Sequence, residues 1–578
     1  MSEAVEQVSA VLDRMGAPGS LAPRVAARLG QRAAAELEAN PWLLLRLPGV
    51  TVEQADFCAR QHLGDDARPD DPRRLSALTE HVLRQAARRG HTAVEERRLA
   101  NVVGGMGVAD PAAALAAAVA DGVSVVFEST DDTDDDFDFA EGGVPDLPDA
   151  ERFHALPDVG HSEQRLGEQV ARLIGGNDPV MDALTAAETV TAAAERHEFA
   201  LSERTREALV TVALRPVTVL RHGPGDAAEL ARALVCLHAI ATDSQVGIAV
   251  AAPTAQAAAA VNAELARCWL GGEPELRAVS LTELLAGAPL EAGVVVLCEA
   301  MSVGVSRAAE LASSCADGAH LVLAADPHQA PSATPGRVVV DVAASRTAHV
   351  AEVADPGEPG PIAELAQAVA DGGVPEVAAP EREVVRVPAA SAEEAAHRVV
   401  QLLTDSIPRV LGIAPQDVQV VAAREDGPAG AGALNAACKE RLNPGPGAHG
   451  GFDVGDRVLL VAEGPGYGPG DTGHLREVGE AAVVELADGR RVSVTDPAAL
   501  RPGWAVTVAA AHGSRWPAVV AVFPPRVPVS RPQVYTALTR AVRHVSLVDA
   551  TGGALESGVR ENAGAERTTR LVRVLREA

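Results

Sequence analysis

A glycine-rich segment between an apolar strand and a helix is the first place where this chain could handle phosphate. The run VTVL is followed by Gly223, Pro224 and Gly225, and then by the helical pattern AAELARAL. A phosphate-binding loop uses glycines so that backbone amides converge, a lysine that bridges phosphate oxygens, and a Ser or Thr hydroxyl that holds magnesium. Aligned on that pattern, Ala228 stands at the lysine position and Glu229 at the hydroxyl position. The loop keeps glycines but lacks both phosphate-handling side chains.

The whole chain contains a single lysine, Lys439, in the helical stretch NAACKERLNP. Compositional bias toward arginine explains a shortage of lysine on a surface. It does not explain why a phosphate loop would lose its lysine. Arginine is a poor substitute there, because its planar guanidinium is larger than the compact ammonium that the loop accepts. We expect Lys439 to lie on a solvated stretch, far in sequence from the loop.

Charge limits the partners that the protein can bind. Its 578 residues include 50 Lys and Arg against 79 Asp and Glu, a formal net charge of −29. The molecule as a whole repels polyanions, so any contact with nucleic acid must be a local basic strip. The sequence shows neither an apolar run long enough for a membrane span nor an N-terminal targeting pattern, which predicts a cytoplasmic protein without membrane contact.

Residue spacing indicates no other kind of active site or metal site besides the possible phosphate loop. The six cysteines lie far apart without the Cys or His spacing of a metal site, so neither zinc nor disulfides are expected. No Ser/His/Asp or Cys/His nucleophile arrangement stands out. We therefore predict no metal site and no alternative active centre.

Hydrophobic periodicity divides the chain into helical, mixed and strand-rich stretches. Helical spacing dominates the start, strands alternate with helices later, and a Gly- and Asp-rich stretch with alternating valines predicts a small antiparallel barrel. The acidic run at 128–151 predicts a solvated loop or flexible linker, with docking of a basic partner as the alternative. The predicted domains are a helical region at 1–120, an acidic linker with connecting helices at 121–195, a first α/β domain at 196–345, and a second at 346–578 with a barrel insert at about 445–503.

Several separate stretches carry a resemblance to a known family. GAPGSLAPRVAARLG and DPRRL near the start, and FDVGDRVLL, GPGDTGHL and QVYTALTRAVRHVSLV later, resemble the RecD/TraA-type branch of superfamily 1 DNA helicases over about residues 10–570. The resemblance implies an α/β fold with two RecA-like P-loop NTPase-type domains, an N-terminal all-α helix-hairpin-helix region and a small SH3-like β-barrel insert.

At the nucleotide site, the resemblance also exposes departures from the family. Cys298 replaces the magnesium-side Asp, Thr205 stands where relatives have an adenine-reading Gln, and Asp355 falls where relatives carry an arginine finger. Three family positions are kept as vestiges, the water-activating Glu299, the coupling residue Gln329 and the γ-phosphate contact Arg540. The last two can equally brace the interface between the α/β domains without nucleotide. We predict no confident catalytic residue, and ATP and magnesium only if the chain is active.

DNA contact is implied at two places. A helix-hairpin-helix binds phosphate through backbone amides of its hairpins. In relatives, the residues at the positions of Pro253 and Thr254 approach the backbone of the DNA strand. A purely structural four-helix module is the alternative for the N-terminal region. The predicted DNA-binding residues are Gly49, Thr51, Arg73, Arg74, Pro253 and Thr254.

These observations lead to one favoured function and two alternatives. The favoured function is a RecD-like helicase homologue that has lost ATP hydrolysis, a pseudo-helicase that binds DNA weakly or serves as a scaffold or regulatory subunit for an unknown protein partner. The first alternative is an active ATP-dependent 5′→3′ DNA helicase in repair or recombination. The second is a protein-interaction module without DNA binding.

Overall fold

The computed structural model describes residues 3–129, 151–176 and 178–578. The chain divides into two compact units. The N-terminal unit is Met1–Gln164 with Thr334–Gly336 and Arg567–Arg570, and the main unit is Arg165–Ala333, Arg337–Glu566 and Leu571–Ala578. Among the described residues, no helix has the length and apolarity needed to cross a membrane.

The N-terminal unit is built mainly from short helices, and side chains cap the starts of several of them. Thr51 caps one of them in a reciprocal capping box with Gln54, and the Asp71 carboxylate caps another. Leu12, Trp42 and Leu78 are fully buried between the helices. The elements are α1 (Glu3–Arg14), α2 (Ala22–Leu29), α3 (Ala33–Ala39), α4 (Val52–Leu63), α5 (Pro72–Arg88), β1 (Val94–Glu95), α6 (Glu96–Gly104), α7 (Pro111–Ala120), β2 (Val125–Ser129) and β3 (Glu151–Ala155).

A small antiparallel sheet accompanies the helices of the predicted all-α region in this unit. The strands are hydrogen-bonded in the order β1–β3–β2, with Val94 opposite His154. Ser129 pairs with Glu151, so the two ends of the acidic run are neighbours in one unit and do not join separate units. Within the predicted acidic linker with connecting helices at 121–195, the structure places β2 and β3 as register partners. Residues 130–150, which carry most of the acidic run, lie outside the described residues.

The first α/β domain is a parallel sheet flanked by helices. Its strands follow the order β6–β5–β7–β8–β4–β9, and each neighbouring pair is parallel. Strands β7 and β8 are buried along their whole length, as expected for parallel strands covered on both faces. The elements are α8 (Pro157–Gly176), α9 (Ala183–Arg196), α10 (Glu203–Leu214), β4 (Val217–Arg221), α11 (Ala227–Asp243), β5 (Ile248–Ala252), α12 (Ala255–Cys268), β6 (Ala278–Ser280), α13 (Leu281–Ala286), β7 (Val294–Leu297), α14 (Val305–Ser314), β8 (His320–Ala325), α15 (Val338–Ser345) and β9 (His349–Glu352).

The predicted limits of this domain, 196–345, are too narrow at both ends. Ala186 and Val190 of α9 are buried in the same core as the sheet. Strand β9 pairs with β4, and Val353 after it is fully buried. The missed strand HVAE is short and half polar, so it has no apolar run to distinguish it from a loop.

The second α/β domain repeats the architecture and encloses a different small sheet. Its parallel strands run in the order β10–β19–β18–β11–β17. The prediction of two RecA-like domains is confirmed. The elements are α16 (Pro361–Ala370), β10 (Val384–Pro388), α17 (Ala392–Gln401), α18 (Ile407–Leu411), β11 (Val418–Ala422), α19 (Ala431–Leu442), β12 (Arg457–Leu460), β13 (Thr472–Val478), β14 (Ala482–Leu486), β15 (Arg491–Val494), β16 (Leu500–Pro502), β17 (Ala505–Thr507), α20 (Val508–Ala511), β18 (Trp516–Phe523), α21 (Arg531–Thr539), β19 (Ala541–Asp549), α22 (Ala554–Glu561) and α23 (Leu571–Glu577).

The small sheet lies within the predicted insert at 445–503. Its antiparallel strands run in the order β15–β14–β13–β12–β16. Burial alternates along β15, as it does in a strand with one face on a core. The finer assignment to an SH3-like barrel stays a prediction.

Lys439 occupies a structural position rather than the solvated one predicted for it. Its ammonium donates to the Asp453 carboxylate at 2.8 Å and also pairs with Asp456. Partial burial opposes the charge, but these two carboxylates outweigh it and raise the pKa of Lys439. The single lysine therefore attaches α19 to the segment that enters the insert.

Candidate functional site

The loop between β4 and α11 is closed by one of its own side chains. The Asp226 carboxylate accepts the Gly223 backbone N–H at 2.5 Å through Oδ2 and the Asp355 backbone N–H at 2.7 Å through Oδ1. A phosphate-binding loop needs convergent amides that are free to meet phosphate oxygens. Here the Asp226 carboxylate already accepts hydrogen bonds from two backbone N–H groups, those of Gly223 and Asp355.

Glu229, at the position of the magnesium-binding hydroxyl, is turned into the protein. Its side chain is fully buried, and it accepts the Ser202 backbone N–H at 3.0 Å and the Arg232 guanidinium at 3.0 Å. Thr205, at the adenine-reading position, is also buried and hydrogen-bonds the Ser202 hydroxyl at 2.8 Å. The Glu229 carboxylate caps the start of α10 and cannot supply a ligand without breaking these bonds.

A cavity of about 530 Å³ lies over the loop. Carboxylates outnumber cations on its walls, although Glu352 pairs with Arg204 at 3.2 Å and Asp355 lies 3.6 Å from Arg232. A polyphosphate placed here would meet like charges instead of the lysine of a working loop. The charged and titratable lining residues are Asp226, Glu352, Asp355, Glu358, Arg221, His222 and His328.

The magnesium side of the site does not fit a divalent ion. Cys298 is buried, and burial, reinforced by the neighbouring Glu299 charge, raises the pKa of its thiol to about 12. A neutral thiol is a poor ligand because metals bind the thiolate. With Ala228 and Glu229 in the loop, the residues present do not fit ATP with magnesium. The described residues hold no group of three or more His, Cys, Asp or Glu side chains placed to bind a metal ion.

The three vestigial residues meet at the interface of the two RecA-like domains. Glu299 Oε2 accepts the Arg540 guanidinium at 3.3 Å and the Gln329 amide at 3.2 Å. Gln329 Oε1 in turn lies 2.9 Å from Nε2 of His512. Arg540 is only 1 % exposed and donates its remaining hydrogen bonds to Ser514 O, Thr536 O and the Thr539 hydroxyl. The contacts of Gln329 and Arg540 with Glu299 and His512 run between the two domains, and the bracing role of both residues stays a prediction.

Further polar contacts join the same two domains. The Tyr535 hydroxyl donates to Asp326 at 2.6 Å, and the Ala330 N–H donates to the Thr536 hydroxyl at 2.7 Å. Burial raises the pKa of Asp326. The hydroxyls of Thr254 and Ser514 lie 2.8 Å apart. Polar groups of the chain itself thus connect the two domains where nucleotide would lie between them in a P-loop motor.

The ionisation of Glu299 predicts how the stability of the folded protein changes at acidic pH. Burial raises its pKa, but the Arg540, His222, Arg515 and His512 charges outweigh burial and lower the pKa from 4.5 to about 2. Since the folded-state pKa lies below the unfolded one, the stabilisation is complete above about pH 4.5 and is lost as pH falls toward 2. The stability difference between wild type and Glu299→Gln should shrink over this window in urea unfolding at a series of pH values. Glu207→Gln, at an exposed site, should show no such trend, and a difference independent of pH would contradict the prediction.

The predicted DNA-binding residues are only partly available. Arg74 is 7 % exposed and makes two hydrogen bonds to Asp56, at 2.8 and 2.9 Å. Arg73 is held by Asp71 at 2.7 Å. Thr254 is buried and caps α12. Intramolecular hydrogen bonds engage the side chains of Arg74 and Thr254, and their contact with DNA stays a prediction.

The other predicted contacts remain near the surface. Gly49 and Thr51 are exposed, although the Thr51 hydroxyl is used in its capping box. Pro253 is half-buried. Their contact with DNA stays a prediction.

Two residues that shape the site were not singled out from the sequence. Asp226 lies directly before α11, where an acidic residue reads as an ordinary helix start, so nothing in the sequence shows that it turns back to the loop. Tyr535 lies within the family-like stretch VYTALTR, and its partner Asp326 is more than two hundred residues away. Only the rarity of tyrosine, with two in the chain, could have drawn attention to it.

Three segments of the chain match known protein families, and most of the chain matches one known protein. Residues 1–93 match the ATP-dependent RecD2 DNA helicase HHH domain, residues 231–392 an AAA domain, and residues 502–548 the UvrD-like helicase C-terminal domain. The chain is 26% identical over 565 residues to an ATP-dependent RecD2 DNA helicase of Deinococcus radiodurans, covering 92% of this chain and 72% of that protein.

Solved structures of Pif1 helicases are also similar. A Bacteroides Pif1 helicase in complex with ADP-AlF3 and ssDNA is 15% identical, with 61% of this chain and 92% of that chain covered and a TM-score of 0.36. Pif1 helicase from Candida albicans is 15% identical, with 65% and 98% covered and a TM-score of 0.35.

Proposed function

Because the chain is a member of the RecD-like helicase family, we propose that it is a homologue without ATP hydrolysis that acts as a DNA-binding or partner-binding scaffold in DNA metabolism. The observation that carries the proposal is the closure of the former phosphate loop. Asp226 holds the Gly223 and Asp355 amides, and no lysine is available because the only one, Lys439, pairs with Asp453 and Asp456.

Loss of hydrolysis follows from the charges that a motor of this kind needs. Phosphoryl transfer is accelerated almost entirely by positioning and by cations that neutralise charge developing on phosphate oxygens. This site offers Ala228 and the buried Glu229 at the two key loop positions, and Asp355 near the loop. Arg540, the remaining cation of the motif, is already paired with Glu299.

An ATPase assay with and without single-stranded DNA tests the proposal. We expect turnover at the background rate in both conditions, the same background for Glu299→Gln, and no saturable binding of a fluorescent ATP analogue. The Glu299→Gln variant is included because the family resemblance gives Glu299 the water-activating position. Turnover that is stimulated by DNA and abolished by Glu299→Gln would overturn the proposal.

That opposite result would support the second candidate, an active ATP-dependent 5′→3′ DNA helicase. The observation favouring it is that Glu299, Gln329 and Arg540 all persist and lie within hydrogen-bond distance of each other or of a shared partner. The similar protein of Deinococcus radiodurans is named an ATP-dependent RecD2 DNA helicase. We favour the scaffold because these three residues are engaged with one another and the phosphate-binding groups are missing.

A further inference from the structure

A second cavity of the main unit, about 480 Å³ in volume, lies between α12, the insert and the second α/β domain. We call it the insert cavity. Helix α12 forms one wall, strands β12, β13 and β14 of the insert form another, and the starts of β18 and β19 form the third. Four arginines line it, Arg267, Arg457, Arg515 and Arg543. The cavity therefore gathers cations from all three parts of the unit.

Most of the carboxylates at this cavity are already paired. Glu264 pairs with Arg267 at 2.9 Å, and Glu485 pairs with two arginines of the insert at 3.0 and 3.1 Å. The remaining lining carboxylate is the exposed Asp417. Two of the three lining carboxylates thus have no charge left to offset the other arginines.

Three of the lining arginines are left without such a partner. Among the residues that the structure describes, Arg457, Arg515 and Arg543 make no ion pair. Set against Asp417, these three positive charges leave an excess of two. On a protein with a net charge of −29, a local positive excess inside a cavity marks where a small anion can be held.

Burial makes the excess costly for the empty protein. Arg457 is 4 % exposed and donates only to the backbone carbonyls of Gln416 and Val418, at 3.3 and 3.0 Å. Burial lowers its pKa to about 10, and the Asp417 charge only partly compensates. Arg515 is half-buried, its Nε has no hydrogen-bond partner, and burial lowers its pKa as well. A buried charge is stabilised when an opposite charge is placed beside it.

We propose that the insert cavity binds a small oxyanion with two negative charges, a phosphate monoester or a dicarboxylate. Guanidinium groups match the oxygens of both groups in two-bond geometry. Ala259, Ala263 and Leu486 add apolar wall, which suits a short organic body attached to the anionic group. The volume falls within the range of roughly 300–1,000 Å³ that is usual for small-molecule sites. This site goes beyond the proposed function, since its lining does not include the loop between β4 and α11.

A neighbouring cavity must be told apart from this one. It measures about 460 Å³, shares Arg267, Arg515 and Arg543, and reaches Gly225 and Ala228 of the closed loop.

A pair of alanines on α12 makes the distinction. Ala263 lines the insert cavity but not its neighbour, whereas Ala266 lines neither, and both are exposed. Ala263→Glu therefore places a carboxylate in the insert cavity alone. Ala266→Glu makes the same change of charge on the same helix outside both cavities, so it is the matched control.

The test is isothermal titration calorimetry of the full-length protein with inorganic phosphate and, separately, with succinate at fixed ionic strength. We expect saturable binding of at least one probe, and the tighter one identifies the anionic group. Arg543→Ala should bind it about tenfold more weakly, the effect of losing one charge-assisted hydrogen bond. Ala263→Glu should weaken binding at least as much because it adds a like charge. Ala266→Glu, and Arg560→Ala as an exposed arginine of the second domain, should bind like wild type.

Three outcomes would overturn the inference. The first is no saturable binding of either probe by wild type. The second is equal affinity for Ala263→Glu and Ala266→Glu, which would place the anion in the neighbouring cavity. The third is displacement of the probe by a single-stranded oligonucleotide without terminal phosphates, which would assign the cavity to DNA. Thermal unfolding verifies that the variants fold, as expected for exposed positions. ATP turnover is not measured in any of these titrations, so failure here is distinguishable from failure of the pseudo-helicase proposal.

Discussion

Replacing Arg540 with alanine is expected to lower the free energy of unfolding of the main unit by about 3–5 kcal/mol, the usual cost of removing one partner from a buried ion pair. Arg540 is 1 % exposed and the Glu299 side chain 13 %, so the carboxylate left behind is largely shielded from water. Ser514 and Thr536 also lose a donor to their backbone carbonyls.

Urea unfolding followed by tryptophan fluorescence measures this effect, since Trp504 and Trp516 are buried in the second RecA-like domain. Arg560→Ala is the matched control, because this arginine lies exposed on α22 in the same domain and its loss should change stability by no more than about 0.5 kcal/mol. A double-mutant cycle with Glu299→Gln should show strong coupling between the two residues. Equal unfolding midpoints for Arg540→Ala and Arg560→Ala would mean that the interface does not depend on the pair.

The second large effect concerns the closed loop. The double variant Asp226→Gly/Ala228→Lys removes the carboxylate from the Gly223 amide and places an ammonium at the lysine position. A charge-assisted hydrogen bond contributes about 1.5–3 kcal/mol, so we expect ATP affinity to rise roughly 10- to 150-fold. Turnover should remain at background because Glu229 stays buried against Ser202 and Arg232 and no hydroxyl is restored for magnesium.

Titration with a fluorescent ATP analogue measures the gain. The control Asp226→Gly/Ala228→Met has the same open loop and a side chain of similar length without the charge. We expect it to bind more weakly than the lysine variant, because the two differ only in the ammonium that contacts phosphate. If wild type already bound nucleotide as tightly as the lysine variant, the loop would not be closed by Asp226 and the pseudo-helicase proposal would lose its main support.

If both expectations hold, the two RecA-like domains are held together without nucleotide. In a P-loop motor, bound nucleotide supplies charge between the domains and its hydrolysis removes it. Here the pairs Glu299–Arg540 and Asp326–Tyr535 are permanent parts of the chain. A closed arrangement that does not cycle suits a scaffold better than a motor.

The α/β architecture could be predicted from the sequence because it depends on local hydrophobic patterns. Buried runs such as VVVL and HLVLAA alternate with helical segments, and this alternation predicts parallel sheets whatever the distant residues are. The strands that escaped notice, β3 with ERFHA and β9 with HVAE, are short and largely polar. Both are stabilised by pairing with distant neighbours, so no local pattern marks them.

The sequence by itself determined which chemical groups are missing. Ala228, Glu229 and Cys298 cannot supply the lysine, hydroxyl and carboxylate of a nucleotide site, because a side chain's functional group is independent of the fold. Only the tertiary structure decided how the remaining groups are used. Asp226 turns back onto Gly223, Arg540 meets Glu299 from the other domain, and Arg74 is buried against Asp56. Hydrogen bonds and charge interactions act over a few ångströms in space, whereas most of these partners are separated by tens to hundreds of residues in the chain.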